Sequence, residues 1–195
     1  GLYQTILLIG SETLSAINNS EDRSSCILFG DGAGAAVVQA EEGELYPSVA
    51  GSDGTMGHVL ACESRVQNDW QQKEADRKTY IDMDGAAVFK FAVRKMPEMA
   101  KSLMTQLHYT EADIDWFITH QANERIIEAI ARRLKSDIAK FPMNIAECGN
   151  TSSASIPILL DEMNRSGQLK DGQKIIMAGF GAGLSWGAVY MEWHA

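Results

Sequence analysis

Two stretches of the sequence carry polar side chains where chemistry can be done. The first is His120-Gln121-Ala122-Asn123, which follows a short apolar run and precedes a helical pattern. A strand that ends where a helix begins presents side chains at the carboxyl edge of a sheet, the usual place for sites in α/β folds. An imidazole there can accept, donate or hold a proton near neutral pH, although purely structural histidines also occupy such places. The second stretch is Gly149-Asn150-Thr151-Ser152-Ser153. Thr and Ser beside a helix start read most simply as caps. Asn150 lies ahead of that start and after a glycine, where its amide can point away from the helix; an ordinary turn asparagine is the plain alternative.

Two glycine-rich stretches invite a nucleotide reading and do not sustain it. Gly30-x-Gly32-x-Gly34 and Gly181-x-Gly183 lack the G-x-G-x-x-G spacing, and each is followed by a strand pattern instead of a helix. They are expected to be tight backbone turns beneath a site, with an N–H free to bind an oxyanion. Cys26, Cys62 and Cys148 make an odd count without metal-ligand spacing, which favours a reducing cytoplasm over a disulfide framework.

The elements that must position these groups alternate. Thr5–Ile9, Ser24–Phe29 and Ala35–Ala40 read as strands, the first two buried, and 41–78 reads as an irregular excursion outside the core. Val88, Ala92, Met96, Met99, Leu103 and Leu107 recur at helical spacing, with Pro97 expected to kink or restart that helix. Thr110 to Asp113 resembles a capping box, and Trp116–Ile118 is a strand ending at Thr119-His120. Ile126, Ile127, Ile130, Ala131 and Leu134 form one face of the next helix, with Glu124, Arg125, Glu128, Arg132 and Arg133 outside. A helix opening near Ser153–Pro157 and stopping at Gly167 follows, then strands at 174–178 and 188–193. The pattern is that of an α/β fold. The echo between Phe29-Gly30-Asp31-Gly32 and Phe180-Gly181-Ala182-Gly183, each between strands, suggests a duplicated fold.

Composition narrows the partners. The 195 residues, 45% hydrophobic, can bury a sizeable core, and the net charge of -9 argues against nucleic acid or an anionic membrane as partner. No apolar run approaches the ~20 residues that span a bilayer, and no signal-peptide pattern is visible.

Four motifs then occur in order: Phe29 to Ala35, His120 to Asn123, Gly149 to Pro157, and Gly179 to Gly187. Together they resemble the β-ketoacyl-acyl-carrier-protein synthase III family of condensing enzymes. The resemblance implies a thiolase-like, layered αβαβα duplicated fold with the first half incomplete. Residues 1–45 would be the last strands of the N-terminal half, 46–80 an irregular connection and 81–195 the C-terminal half. It implies a decarboxylating Claisen condensation of acyl-CoA with malonyl-acyl-carrier protein by a cytoplasmic homodimer without metal or redox cofactor. Of the family's Cys-His-Asn set, His120 and Asn150 match, and the resemblance implies that the Cys lies shortly upstream of Gly1; Cys26, Cys62 and Cys148 read as inert core or loop thiols. Neutral His, through Nε2–H, and the Asn amide would donate to the enolate oxygen. Ala182 N–H matches an oxyanion donor; Arg23, Asn123 and Phe180 match residues near the CoA nucleotide, the pantetheine arm and the acyl pocket. Ala86 replaces a frequent polar contact to pantetheine. Lys90, Arg125, Arg132 and Arg133 match the acyl-carrier-protein docking face, against which stands the reading of a solvated helix face balanced by Glu124 and Glu128. Two rivals remain: a secondary-metabolism acyltransferase on the same scaffold, and a noncatalytic binding or dimerisation subunit.

Overall fold

A computed structural model describes residues 3–194 apart from 24, 41, 44 and 63–79. Its centre is a four-stranded sheet ordered β3-β8-β7-β6. Here β3 is Ser48–Ser52, β6 Trp116–Thr119, β7 Lys174–Gly181 and β8 Ser185–Glu192. The β6–β7 pair is parallel and the other two pairs antiparallel. β1 (Thr5–Thr13) and β2 (Asp31–Gln39) form a separate antiparallel pair, as do the short β4 (Leu60–Cys62) and β5 (Ile81–Met83).

The layers follow from the apolar faces. Helix α1 (Gly85–Gln106) and helix α2 (Glu124–Leu134) cover one face of the central sheet, where Met96, Leu103, Ile127 and Ile130 pack with Ile176 and Tyr190. All five apolar residues expected on α2 are buried. Each of the three isoleucines and Leu134 contributes about 1.5–3 kcal/mol when fully buried. The short α3 (Ile145–Cys148) leads to Gly149 and Asn150, and helix α4 (Ser155–Arg165) covers the other face through Leu159 and Met163, against Ile118 and Ile175. The back of α4 lies on β2. Helix, sheet, helix and sheet thus stack in order.

The glycines of Gly30-Asp31-Gly32-Ala33-Gly34 do different work from that expected. They are not a turn beneath a site: Asp31 to Gly34 already belong to β2. A Cβ on Gly32 would come within 2.9 Å of the Ile158 side chain, and one on Gly34 within 2.6 Å of Pro157. Alternate glycines make a flat strip on which α4 rests. At the other end of the echo the expected turn is present: Ala182 to Leu184 form it between β7 and β8.

Other expectations are corrected. Of the strand expected at Ser24–Phe29, the described residues 25–29 do not form one: Cys26 N–H donates to Asp22 O at 2.9 Å and Leu28 N–H to Ser25 O at 3.0 Å, so the chain turns locally. The Asp22 carboxylate accepts from Ser25 Oγ at 2.9 Å, the kind of local bond that competes with a ladder. β1 is not buried; Ile6, Leu7, Leu8 and Ile9 are exposed, Leu7 at 63%. Consecutive apolar residues fit a strand covered on both faces, but among the described residues only the Gly10 side is closely covered, by Ser153 and Ala154. The segment expected to be irregular supplies β3 to the central sheet and buries Val59, while its 63–78 portion lies outside the described residues. Finally, α1 runs through Pro97 as one helix. Burial of Pro97 beside Val93, Met96 and Ala100 offsets the lost backbone bond, which costs about 3 kcal/mol in an exposed helix.

Candidate active site

β6 and α4 together place His120. Its N–H donates to Ala178 O at 2.9 Å, extending the β6–β7 ladder by one residue. Its ring stands edge-on to Phe180, with centroids 5.6 Å apart. Nδ1 lies 2.8 Å from Ser155 Oγ at the start of α4. Enclosure on these sides removes water and pushes the imidazole pKa down from its usual 6.5 to about 4, so His120 is neutral at physiological pH.

Asn150 is placed by a different route, invisible in the sequence motif. Gly149, at φ +67°, turns the chain after α3. The Asn150 N–H then donates to Leu28 O at 2.7 Å, and Gly30 N–H donates to Asn150 O at 2.9 Å. These bonds form a parallel bridge between Phe29 and Asn150. The segment misread as a strand is therefore the clamp for Asn150. The side chain is oriented as well: Oδ1 accepts Ser152 N–H at 2.9 Å, which leaves the Nδ2 protons for a ligand.

His120 and Asn150 meet in one cleft of about 390 Å³. Leu14, Ile17, Leu28, Phe29, Val88 and Phe89 make much of its wall apolar. Asn123, Phe180, Gly181 and Ala182 line it too. A second cavity of about 240 Å³, with Ser152, Ser153 and Ser155 in its wall, reaches His120 from α4. Apolar walls with a few convergent polar groups are the ordinary make-up of a small-molecule site.

The remaining expected residues divide. Asn123 Oδ1 caps α2 by accepting Arg125 N–H at 2.9 Å, so only its amide nitrogen is left for a ligand. Ala182 stands in the turn at the cleft wall, and Ser185 Oγ donates to its carbonyl at 2.8 Å. Arg23 is exposed in the turn around 22–26 and does not line the cleft. Ala86 is exposed beside Gly85 of the wall. Lys90, Arg125, Arg132 and Arg133 are exposed on α1 and α2. Arg132 reaches Glu128 at 3.5 Å, as the balanced-face reading supposes. Arg132 and Arg133 also occupy the last turn, where cations suit the helix dipole. Arg94 follows Lys90 by one turn of α1; with Arg133 it adds to the Lys95 hydrogen bond in holding Glu98 below the usual carboxylate range.

The cysteines behave differently from one another. Cys26 lies half-buried in the turn, not in a strand, while Cys62 is exposed at the cleft wall. Burial, with Glu162 and Glu147, pushes the Cys148 thiol up, away from the reactive thiolate. Among the described residues no three His, Cys, Asp or Glu side chains group to hold a metal ion, and no helix is long and apolar enough to cross a membrane.

The profile of 3-oxoacyl-acyl-carrier-protein (ACP) synthase III matches residues 1–54, and that of its C-terminal part matches 104–193. This chain belongs to the β-ketoacyl-acyl-carrier-protein synthase III family. It is 45% identical to the β-ketoacyl-acyl-carrier-protein synthase III of Clostridium novyi over 196 residues, covering 100% of this chain and 60% of the relative. The chain therefore spans about 60% of the length of the curated relatives it matches. The crystal structure of 3-oxoacyl-acyl-carrier-protein synthase III from Pseudomonas aeruginosa superposes with a TM-score of 0.93 at 38% identity, over 100% of this chain and 61% of that one. The priming β-ketosynthase of the R1128 polyketide pathway superposes at 0.86 and 35% identity, over 97% of this chain and 57% of that one. The family has the thiolase fold, and the stacked layers described above are part of it.

Proposed function

We propose that the complete protein joins an acyl-CoA to malonyl-acyl-carrier protein with loss of carbon dioxide, giving a 3-oxoacyl-acyl-carrier protein at the start of fatty acid synthesis. The observation that carries this reading is the convergence of a neutral His120 and the free Asn150 amide nitrogen on one apolar cleft. A malonyl thioester that loses carbon dioxide leaves an enolate, whose oxygen must be met by hydrogen-bond donors. Asn150 Nδ2 is one donor, and His120 is the second when its proton is on Nε2. Neither is acidic enough to quench the carbanion before it attacks the acyl group. Ala182 N–H serves the oxyanion of the acyl step.

Around this centre Asn123 contacts pantetheine, Arg23 the CoA nucleotide and Phe180 the acyl chain, while Ala86 offers no polar contact. The acyl group rides on a Cys outside the described residues, not on Cys148. Lys90, Arg125, Arg132 and Arg133 receive the acidic carrier protein. The protein works as a cytoplasmic homodimer without metal or redox cofactor.

The reaction is tested by incubating the complete protein with acyl-CoA and malonyl-acyl-carrier protein, following carbon dioxide and the carrier-protein mass together. Release of carbon dioxide matched by a 3-oxoacyl product supports the proposal. Acyl transfer to an alcohol or amine without carbon dioxide release contradicts it.

A further inference from the structure

Ser155 belongs to the helix start expected near Ser153–Pro157, and it sits at the ring of His120. It is 2% exposed, and its Oγ has three polar neighbours: His120 Nδ1 at 2.8 Å, Ser152 O at 2.9 Å and Gln121 N at 3.3 Å. A hydroxyl has one proton and two lone pairs. Gln121 N–H can only donate, and Ser152 O can only accept. One arrangement satisfies all of them: Oγ donates to Ser152 O and accepts from both Gln121 N–H and His120 Nδ1–H. If Oγ instead donates to Nδ1, two oxygens face each other at 2.9 Å with no proton between them.

We propose that Ser155 is a positioning residue that holds resting His120 as the Nδ1–H tautomer, so that Nε2 presents a lone pair to the cleft. The inference deepens the proposed reaction and rests on His120 being its centre. Nε2 then begins the cycle as a proton acceptor. It takes the proton of the thiol nucleophile as that S–H bond breaks, and returns it to the CoA thiolate that leaves, so the ring is neutral before and after. Decarboxylation asks the opposite of Nε2, which must then carry a proton. A hydroxyl partner permits this reversal. Once Nδ1 has given a proton to solvent and Nε2 has taken one, Oγ–H turns from Ser152 O to Nδ1, the less favourable arrangement at rest because the 2.9 Å contact to Ser152 O then holds no hydroxyl proton. Ser152 O keeps its bond from Ser155 N–H. A carboxylate in the same place could only accept, and a backbone N–H could only donate.

The test is the two-bond ¹⁵N–¹H correlation spectrum of the ¹⁵N-labelled complete protein, with His120 assigned by the signals lost in His120→Gln. The parent protein should show a protonated Nδ1 and an unprotonated Nε2. Ser155→Ala should move the pattern to Nε2–H or to an averaged mixture. Outer partners that orient metal-bound histidines are typically worth 10- to 100-fold, and by that analogy Ser155→Ala should slow self-acylation by about the same factor. A parent spectrum already showing Nε2–H, or a Ser155→Ala protein with the parent spectrum, overturns the proposal. Neither spectral result depends on turnover, so loss of the proposed reaction and loss of the Ser155 role are told apart.

Discussion

Gly30→Ala is the substitution that should separate placement of the Asn150 amide from the chemistry proposed for it. A Cβ on Gly30 would stand 2.2 Å from the carbonyl oxygen of Cys148 and 3.4 Å from the Thr151 methyl. The first distance is about 1 Å inside ordinary van der Waals contact, and the obstacle is backbone, which cannot rotate away. The strands of the clamp must therefore part by roughly that amount, stretching both the 2.9 Å bond from Gly30 N–H to Asn150 O and the 2.7 Å bond from Asn150 N–H to Leu28 O. Gly149, held at φ +67° with Leu28 O 3.2 Å from where its own Cβ would be, leaves the loop little room to absorb the shift. Overpacking of this kind costs about 1–3 kcal/mol of stability. A misplacement of about 1 Å at a reacting group costs on the order of 100-fold in rate. The assay is carbon dioxide release from malonyl thioester by the complete protein, beside a denaturant melt and a structure of the variant. Gly54→Ala is the control, because a Cβ there meets nothing within 4 Å. Parent decarboxylation by Gly30→Ala, with Asn150 unmoved, would refute the clamp.

Four further outcomes are expected. The double change Arg132→Glu and Arg133→Glu should raise the apparent KM for malonyl-acyl-carrier protein severalfold at low salt and far less for malonyl-CoA; equal defects, or a defect unchanged at high salt, reject the docking face. Arg125→Glu should give the largest single effect of the three arginines. The depressed His120 pKa means the unfolded chain binds its proton first as pH falls. The stability gained from keeping His120 neutral is complete above about 6.5 and is lost between there and about 4, a loss of up to about 3 kcal/mol that His120→Gln should remove from melts across that window. Lys135 ends α2 in the left-handed conformation at φ 58°. Lys135→Gly should stabilise the protein by about 0.5–1 kcal/mol in a denaturant melt, and a loss of stability would show that the Lys135 side chain outweighs the strain.

What the sequence made legible was whatever depends on local period. The α2 face from Ile126 to Leu134, the Thr110–Asp113 box and the ends of β6 at Thr119 all follow from spacing and capping, and the structure holds them. The glycines at 30, 32 and 34 were legible as backbone constraints, but not in kind. Whether a glycine turns the chain or admits a neighbour depends on what packs above it, here Pro157 and Ile158 of α4. The same holds for residues 25–29, where apolar side chains suit a strand but the Asp22 carboxylate closes a turn. His120 and Asn150 could be singled out by position, whereas the groups that orient them could not. Ser155 is 35 residues from His120, and Leu28 and Gly30 are more than a hundred from Asn150. No sequence period reports contacts of that range.

The central claim is that His120 and Asn150 form the decarboxylation site, and carbon dioxide release from labelled malonyl thioester by His120→Ala and Asn150→Ala tests it most directly. Losing one oxyanion donor costs on the order of 100- to 1000-fold. Each variant should therefore release carbon dioxide at least 100-fold more slowly than the parent, while Asn150→Ala keeps self-acylation close to the parent rate. Parent-rate carbon dioxide release by both variants would contradict the account.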